Sequence, residues 1–203
     1  MELNLGNIED CTTAMGPGKR MCIWVRGCTI GCKGCATPQY WSADPIGLTQ
    51  VGAVIQRLHA SHAQHELEGM SFSGGEPFEQ ARALKLIAQS ARALGLSTLS
   101  WSGYTLDYLT SPRAPDGSAE LLRELDVLID GAYVQALNTE VLPLRGSTNQ
   151  TIHFLTDRYL PKDIGPARFS VQVADGVILS HGVTHYGRLS ATMRLLGARP
   201  HAT

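Results

Sequence analysis

The chain has 203 residues, of which 43% are hydrophobic and 17% are charged, and its formal net charge is −1. This composition is typical of a globular protein with a buried core, and it excludes a disordered chain and a strongly basic nucleic-acid-binding domain. No apolar run approaches the roughly 18 residues of a membrane span, and the amino terminus lacks the features of a signal peptide. We therefore expect a cytoplasmic protein with neither membrane nor nucleic-acid partners.

Short β-like runs alternate with helical patterns along most of the chain. The runs predict strands at Met21–Val25, Met70–Ser73, Ser97–Trp101, Val127–Asp130 and Thr151–Leu155. Helical spacing predicts a helix with Leu48, Val51, Val54, Ile55 and Leu58 on one face, a second over about residues 78–94, and short helices after Ser102 and over about residues 118–125. Gly95 is a plausible stop for the second helix. This alternation predicts an α/β fold, a mostly parallel sheet with helices outside it.

The last part of the chain has a different pattern. Arg168–Val173 and Val177–Ser180 are β-like runs joined through Asp-Gly, which is typical of a hairpin, and Leu189–Leu196 is a candidate helix. We expect a single domain over residues 1–203. Its core is predicted over about residues 1–155, and an extension over about residues 156–203 adds an antiparallel edge or flap.

Three cysteines lie in the loop after the first predicted strand. Cys28, Cys32 and Cys35 have the spacing C-x3-C-x2-C, and thiolates are the preferred ligands of iron–sulfur clusters and of zinc. Three ligands leave one iron of a cubane cluster open to another ligand, as in catalytic metal sites. Zinc, with a fourth ligand from Cys11, Cys22 or a histidine, is the alternative, and a disulfide framework fits an odd count of five cysteines less well.

Polar or glycine-rich segments follow three further predicted strands. Gly74-Gly75-Glu76, Ser102-Gly103-Tyr104 and Asp130-Gly131 each begin where a strand ends. Ligands bind at this edge of parallel α/β sheets, so the segments predict one site together with the cysteines. Each also has a plainer interpretation: a strand-to-helix turn for the glycines, a helix N-cap for Ser102 and a turn cap for Asp130.

With these motifs on one edge, the chain resembles the radical S-adenosylmethionine superfamily. The cysteine spacing matches its C-x3-C-x2-C pattern, and Ser73–Pro77 matches its GGE motif. More narrowly, the chain resembles the activating proteins of anaerobic ribonucleotide reductase over about residues 1–155. Four further segments carry that resemblance: Gly16–Arg20, Trp101–Thr105, Leu128–Gly131 and Arg145–Gln150.

The resemblance implies a partial (β/α)6-type barrel and a [4Fe-4S] cluster held by Cys28, Cys32 and Cys35. S-adenosylmethionine would chelate the open iron, with cofactor contacts from Gly74, Gly75, Glu76, Ser102, Tyr104, Asp130, Arg145 and Asn149. The implied activity is that of an oxidoreductase without catalytic residues beyond cluster and cofactor. Reductive cleavage of the cofactor would give a 5′-deoxyadenosyl radical that takes a hydrogen atom from a glycine of a large glycyl-radical enzyme. An external one-electron reductant such as a flavodoxin is the second implied partner.

The sequence departs from the superfamily pattern at Gly34, where many members carry an aromatic residue that packs near the adenine. Tyr40 or Trp41 would then supply that contact. Two other functions stay open: a radical enzyme acting directly on a peptide, nucleoside or small metabolite, and a non-catalytic iron–sulfur or zinc module. A solvated loop is the plain alternative for Arg145 and Asn149.

Several further residues are of types that bind metals or anions in other proteins, but in this sequence they are predicted to have structural or solvent-exposed roles. Lys19 and Arg20 are predicted to be solvated basic residues, available to an acidic partner or the cofactor. Cys22 is predicted to be a core thiol. Solvent exposure is the expectation for the three histidines near the end of the first helix, His59, His62 and His65.

Overall fold

A seven-stranded sheet with a parallel centre organises the fold. The structure is a computed structural model that describes residues 1–139 and 141–166, together with the backbone of two strands over 169–174 and 177–182. The sheet strands are β1 (Glu2–Thr12), β2 (Arg20–Val25), β3 (Leu48–Gln50), β4 (Gly69–Gly74), β5 (Ser97–Trp101), β6 (Val127–Asp130) and β7 (Thr151–Phe154). Their order across the sheet is β3-β1-β2-β4-β5-β6-β7.

The strand pairing confirms the predicted parallel core and adds antiparallel strands at both edges. Neighbours among β2, β4, β5 and β6 pair in parallel, whereas β1 is antiparallel to β2 and β3, and β7 is antiparallel to β6. The sequence pattern missed β1 and β3. Leu48, predicted on a helix face, lies in β3 and is exposed. The described sheet is thus mixed α/β with a parallel middle.

The helices are α1 (Val51–His65), α2 (Ala81–Ala93), α3 (Leu106–Leu109) and α4 (Ser118–Leu122). Apolar residues of α1 and α2 recur every three or four positions, so each helix has one buried stripe. The helix predicted over about residues 78–94 is confirmed as α2, and Gly95 follows its end in the left-handed region at a φ of +77°. Within the described residues, no helix is both long enough and apolar enough to cross a bilayer.

The two faces of the sheet are covered differently. Met21, Ile23 and Val25 of β2 face α1 and α2 in the main core. The alternate residues Cys22 and Trp24 face the other side, where loops rather than helices cover the sheet. Cys22 is fully buried, which confirms its prediction as a core thiol.

Arg20 corrects an expectation, because it is fully buried rather than solvated. It begins β2 at the amino-terminal end of the parallel strands. Its guanidinium donates five hydrogen bonds to oxygens at the starts of the neighbouring strands and of the preceding turn. These neutral acceptors satisfy a cation that has left water. Lys19 and His59 are exposed, as predicted, whereas His62 and His65 are half-buried and not exposed as expected.

The carboxyl-terminal runs form a two-stranded antiparallel sheet of their own, β8 (Phe169–Ala174) with β9 (Val177–Gly182). This pairing confirms the predicted hairpin strands. They do not extend the seven-stranded sheet, whose antiparallel edge on that side is β7. The predicted Asp175-Gly176 turn and the predicted helix Leu189–Leu196 lie outside the described residues.

Candidate iron–sulfur site

The cysteine loop, residues Cys28–Cys35, leaves the sheet at the carboxyl end of β2. Its base is closed by backbone hydrogen bonds from Gly27 N to Tyr40 O (2.9 Å) and from Cys28 N to Trp41 O (3.0 Å). Tyr40 ends a short 3-10 helix that starts at Pro38. The loop therefore begins and ends at the same edge of the sheet, where it remains open to solvent.

The three thiols of this loop are free, partly buried and close to backbone N–H groups. Burial raises the pKa of the Cys28 thiol, while the N–H groups of Gly31 and Ile30 act in the opposite direction. Burial likewise raises the pKa of the Cys32 thiol, against a hydrogen bond from the Tyr133 backbone. The N–H of Thr37 donates to Cys35 Sγ at 3.4 Å.

This donor set fits an iron–sulfur cluster. N–H groups directed at cysteine sulfur stabilise thiolate ligands and tune the reduction potential of such clusters. Each thiolate of a cubane ligates its own iron, so such a site does not need three sulfurs around a single ion. Within residues 1–139 and 141–166, no three His, Cys, Asp or Glu side chains are gathered as the ligands of one metal ion.

Two glycines let β4 pack directly against the base of the cysteine loop. A Cβ on Gly74 would lie 2.3 Å from Val25 N, and one on Gly75 would lie 2.2 Å from Gly27 O. The backbone of Gly75 donates to Val25 O at 2.7 Å, and that of Glu76 donates to Gly27 O at the same distance. Only glycine allows this approach, because any side chain would collide with backbone.

Glu76 is buried, at 1% exposure, beneath this junction. Its carboxylate accepts hydrogen bonds from Phe78 N (2.9 Å), Ser102 Oγ (2.9 Å) and Gly103 N (2.8 Å). Burial raises its pKa to about 7. The side chain thus ties the end of β4 to the loop that follows β5.

The other predicted residues beyond β5 and β6 make contacts within the chain. Ser102 Oγ accepts from Tyr104 N at 3.0 Å, which caps a local turn. The interpretation of Ser102 as a helix N-cap is wrong, because the N-cap of α3 is Thr105. The Tyr104 hydroxyl donates to Glu79 Oε1 at 3.2 Å. Asp130, which is buried, accepts from Leu106 N at 2.6 Å and so caps the start of α3. Both side chains therefore hold backbone within the fold, Ser102 in the turn before α3 and Asp130 at the first residue of α3.

Arg145 and Asn149 lie in the loop between β6 and β7, at the same edge of the sheet. The guanidinium of Arg145 donates to Gln150 O at 3.4 Å. The Asn149 amide donates to Ala132 O at 2.8 Å, although the residue is exposed. This loop meets the cysteine loop through the Tyr133 backbone at Cys32. The five predicted segments are thus brought to one edge.

The backbone conformation explains the departure at Gly34. Its φ of +76° lies in the left-handed region, where an aromatic residue is strained. A Cβ there would also lie 2.9 Å from Cδ of the exposed Gln135 side chain. Tyr40 carries the Arg26 guanidinium 5.6 Å above its ring, and Trp41 is 37% exposed beside the loop.

Comparison with known proteins places the chain in a family. Residues 14–153 match the family model described as a 4Fe-4S single cluster domain. The anaerobic ribonucleoside-triphosphate reductase-activating protein of Escherichia coli K12 is 32% identical over 147 residues, which cover 69% of this chain and 91% of that protein. The proteins of the same name from Vibrio cholerae and Enterobacteria phage T4 are 33% and 30% identical, covering 70% and 76% of this chain and 91% and 96% of theirs.

The chain belongs to the family of anaerobic ribonucleoside-triphosphate reductase-activating proteins. The matched residues contain every segment of the site described above. All of β1 and the carboxyl-terminal strands β8 and β9 lie outside residues 14–153. In this family member, the site is therefore built entirely from the part of the chain that the family model covers.

Sequence reasoning missed three polar residues of the site. Glu79 Oε1 accepts from both the backbone and the hydroxyl of Thr29, the residue after Cys28. Thr37 Oγ1 donates to Gly74 O at 2.9 Å and thereby links the end of the cysteine loop to β4. The signal that was available for Glu79 is its place one turn after Glu76, at the start of the helical segment that follows a predicted site.

Two clefts lie away from this edge. One, of about 140 Å³, is lined by residues 13–18, Leu144 and residues 163–166; the other, of about 190 Å³, is lined by residues 154–161. The cysteine loop lines neither of them. The candidate site lies instead at the carboxyl edge of the sheet, where residues of the cysteine loop are partly exposed.

Proposed function

We propose that this chain is a radical S-adenosylmethionine enzyme that activates a glycyl-radical enzyme, with an anaerobic ribonucleotide reductase as its partner. The observation that carries the proposal is the cysteine loop: three free thiols near backbone N–H groups, on a loop locked to Gly74 and Gly75. Curated relatives named as activating proteins of the reductase support the choice of partner. The five free thiols also fit a cytoplasmic location.

The proposal assigns roles to residues of this chain. Cys28, Cys32 and Cys35 would hold a [4Fe-4S] cluster, and Gly74 and Gly75 would allow a cofactor to approach backbone. When bound, cluster and S-adenosylmethionine supply a one-electron cleavage of the carbon–sulfur bond, which yields methionine and a 5′-deoxyadenosyl radical able to take a hydrogen atom. An external donor such as a flavodoxin would provide the electron.

The protein groups around the cofactor would orient it and exclude competing reactions. Arg145 and Asn149 lie at the rim, where a guanidinium and an amide are suited to a carboxylate or an adenine edge. Glu76, Ser102 and Asp130 would support the cofactor indirectly, because their side chains already form hydrogen bonds that hold the loops of the site in place. The helix-free face of the four parallel strands would form the inner wall of a partial (β/α)6-type barrel.

The test is anaerobic reconstitution with iron and sulfide, followed by S-adenosylmethionine and dithionite. We expect about four irons per chain, formation of 5′-deoxyadenosine, and a glycyl radical signal in paramagnetic resonance once the reductase is added. Cys32→Ala should abolish all three readouts. Cys22→Ala is the matched control. Cys22 is a buried thiol within β2, outside the cysteine loop, so this variant should retain all three readouts.

Each other outcome selects a different function. Cleavage of the cofactor without a radical on the reductase, but with turnover of a peptide or metabolite, would mean that the enzyme acts directly on that substrate. Bound zinc in place of iron, or no 5′-deoxyadenosine from fully loaded protein, would reduce the chain to a non-catalytic metal module and contradict the proposal.

A further inference from the structure

Two carboxylates flank the junction between β4 and the cysteine loop, and they differ in what they hold. The carboxylate of Glu76 is enclosed and accepts hydrogen bonds from Phe78 N, Ser102 Oγ and Gly103 N. Glu79 lies one turn later, in the 3-10 helix Pro77–Gln80, and is half-buried. Its carboxylate faces the cysteine loop, which that of Glu76 does not touch.

One oxygen of Glu79 collects three donors from two separate loops. Its Oε1 accepts from Thr29 N at 2.9 Å, from Thr29 Oγ1 at 2.6 Å and from the Tyr104 hydroxyl at 3.2 Å. Thr29 Oγ1 and the Tyr104 hydroxyl are themselves 3.3 Å apart. Hydrogen bonds to an ionised acceptor are about twice as strong as neutral ones, so this oxygen is an effective anchor.

The anchor lies directly beside a thiol. Cys28 N donates to Trp41 O, which fixes the backbone before the side chain, and Glu79 fixes the next peptide through Thr29 N. The first cysteine is therefore held on both sides by groups distant in sequence. The turn between the other two is closed locally, by Cys35 N to Cys32 O at 3.1 Å.

We propose that Glu79 is a positioning residue that sets the placement of Cys28 at the site, acting through Thr29 and Tyr104. The inference rests on the proposed function only in assigning Cys28 as a cluster ligand. Glu79 holds the peptide next to that ligand, and Tyr104 couples the anchor to the loop after β5. The Tyr104 hydroxyl thus has a role within the protein, beside any contact with a cofactor.

The first test uses the cluster-free, reduced protein, so that it depends on neither iron nor cofactor. Alkylation of Cys28 and Cys35 by iodoacetamide is followed by peptide mass spectrometry, and the ratio of the two rates is the readout. Glu79→Ala should raise the Cys28 rate about fivefold relative to Cys35, in line with the loss of charge-assisted hydrogen bonds on a partly exposed loop.

Three further variants distinguish positioning from general destabilisation. Glu79→Gln keeps an acceptor oxygen at the same reach and should change the ratio by less than about twofold. Tyr104→Phe removes one of the three donors and should fall between the two. Glu120→Ala is the control, since Glu120 is an exposed carboxylate whose ion pair is with Arg123, at 3.7 Å; it should leave the ratio unchanged. Should Glu79→Ala fail to fold, Glu79→Gln and Tyr104→Phe still carry the test.

A second measurement uses reconstituted protein. Glu79→Gln and Glu79→Ala both remove a negative charge near the thiols, so both should raise the reduction potential of the cluster.

The outcomes for this inference and for the proposed function can be told apart. An unchanged alkylation ratio in Glu79→Ala, or equal acceleration of Cys28 and Cys35, overturns the positioning role. Failure of the wild-type chain to bind iron contradicts the proposed function and leaves the alkylation result standing.

Discussion

The two ends of the four parallel strands each bury a charged side chain, but they use it differently. At the amino end, Arg20 donates to Ser71 Oγ, Ser97 Oγ and backbone carbonyls at 2.6–3.2 Å. At the carboxyl end, Glu76 accepts from groups in the loops that follow β4 and β5. Arg20 therefore joins strands to one another, whereas Glu76 holds the loops that build the site.

The difference shows why a buried charged side chain contributes to stability at the amino end of the strands and to the site at the carboxyl end. Burial lowers the pKa of Arg20, but a guanidinium stays charged at any accessible pH, so its hydrogen bonds are permanent. Burial raises the pKa of Glu76 to about 7, so its charge changes within the physiological range. The amino end is a fixed clamp, and the carboxyl end is held by a group that responds to pH.

The largest expected effect is at the amino end. Arg20→Ala removes five hydrogen bonds and leaves a cavity with polar walls, so we expect the free energy of unfolding to fall by about 4 kcal/mol. Urea unfolding of the cluster-free protein measures it. Arg113→Ala, at an exposed arginine, is the matched control and should change stability by less than about 0.5 kcal/mol. A loss for Arg20→Ala no larger than that of the control would show that the clamp is dispensable.

The next effect is the pH dependence of stability conferred by Glu76. Its pKa is about 7 in the fold, against an ordinary value of 4.5 for a glutamate in water. The folded protein therefore binds more protons than the unfolded chain between these values, and stability falls as pH rises through this window. We expect wild type to lose about 2–3 kcal/mol between pH 5 and pH 8 through this group.

Glu76→Gln removes that titration while keeping an acceptor oxygen. Its unfolding free energy should be flatter than that of wild type from pH 5 to pH 8, as measured by urea unfolding at each pH. Glu79→Gln is the matched control, since it changes a carboxylate of the same segment that is not enclosed. If the free energy of unfolding changed with pH equally in wild type and in Glu76→Gln, the pH dependence would come from a group other than Glu76.

The smallest effect concerns the loop between β6 and β7. Gln150 accepts from Gly146 N at 2.8 Å and donates to Gly131 O at 2.9 Å, so it bridges the two ends of the loop. Gln150→Ala should cost about 1–2 kcal/mol, because the site edge loses one bridge while the strands are untouched. Gln89→Ala, at an exposed glutamine, is the control in the same unfolding assay. A cost above that of Arg20→Ala would reverse the ranking of the two ends.

The sequence predicted the regular elements well where they are buried and parallel. Ser97–Trp101 and Val127–Asp130 match β5 and β6 residue for residue. The continuous apolar run Val127–Ile129 is characteristic of a strand covered on both faces. β1 was missed because most of its residues are half-buried, so its sequence has no clear alternation. β3 was missed because it has three residues and leads straight into α1.

The site was predicted in part, and the missing part has a physical cause. The three cysteines and the glycine pair were found because ligand spacing and close backbone approach need particular residue types. Glu79 was not assigned and Arg20 was wrongly predicted to be solvated, because their roles depend on distant partners. Thr29 lies 50 residues from Glu79, and Ser97 lies 77 residues from Arg20. The cluster ligands Cys28, Cys32 and Cys35 stay predictions. So do the cofactor contacts of Gly74, Gly75, Glu76, Ser102, Tyr104, Asp130, Arg145 and Asn149.

By itself, the sequence determined the parallel core, the strand ends at which polar segments collect, and the three-cysteine loop. These features follow from local rules, since side-chain period and turn chemistry act over a few residues. Only the tertiary structure decided which charges are buried, which carboxylate touches the cysteine loop and why Gly34 replaces an aromatic residue. Those outcomes depend on hydrogen bonds and steric contacts between segments brought together by the sheet, which no local pattern encodes.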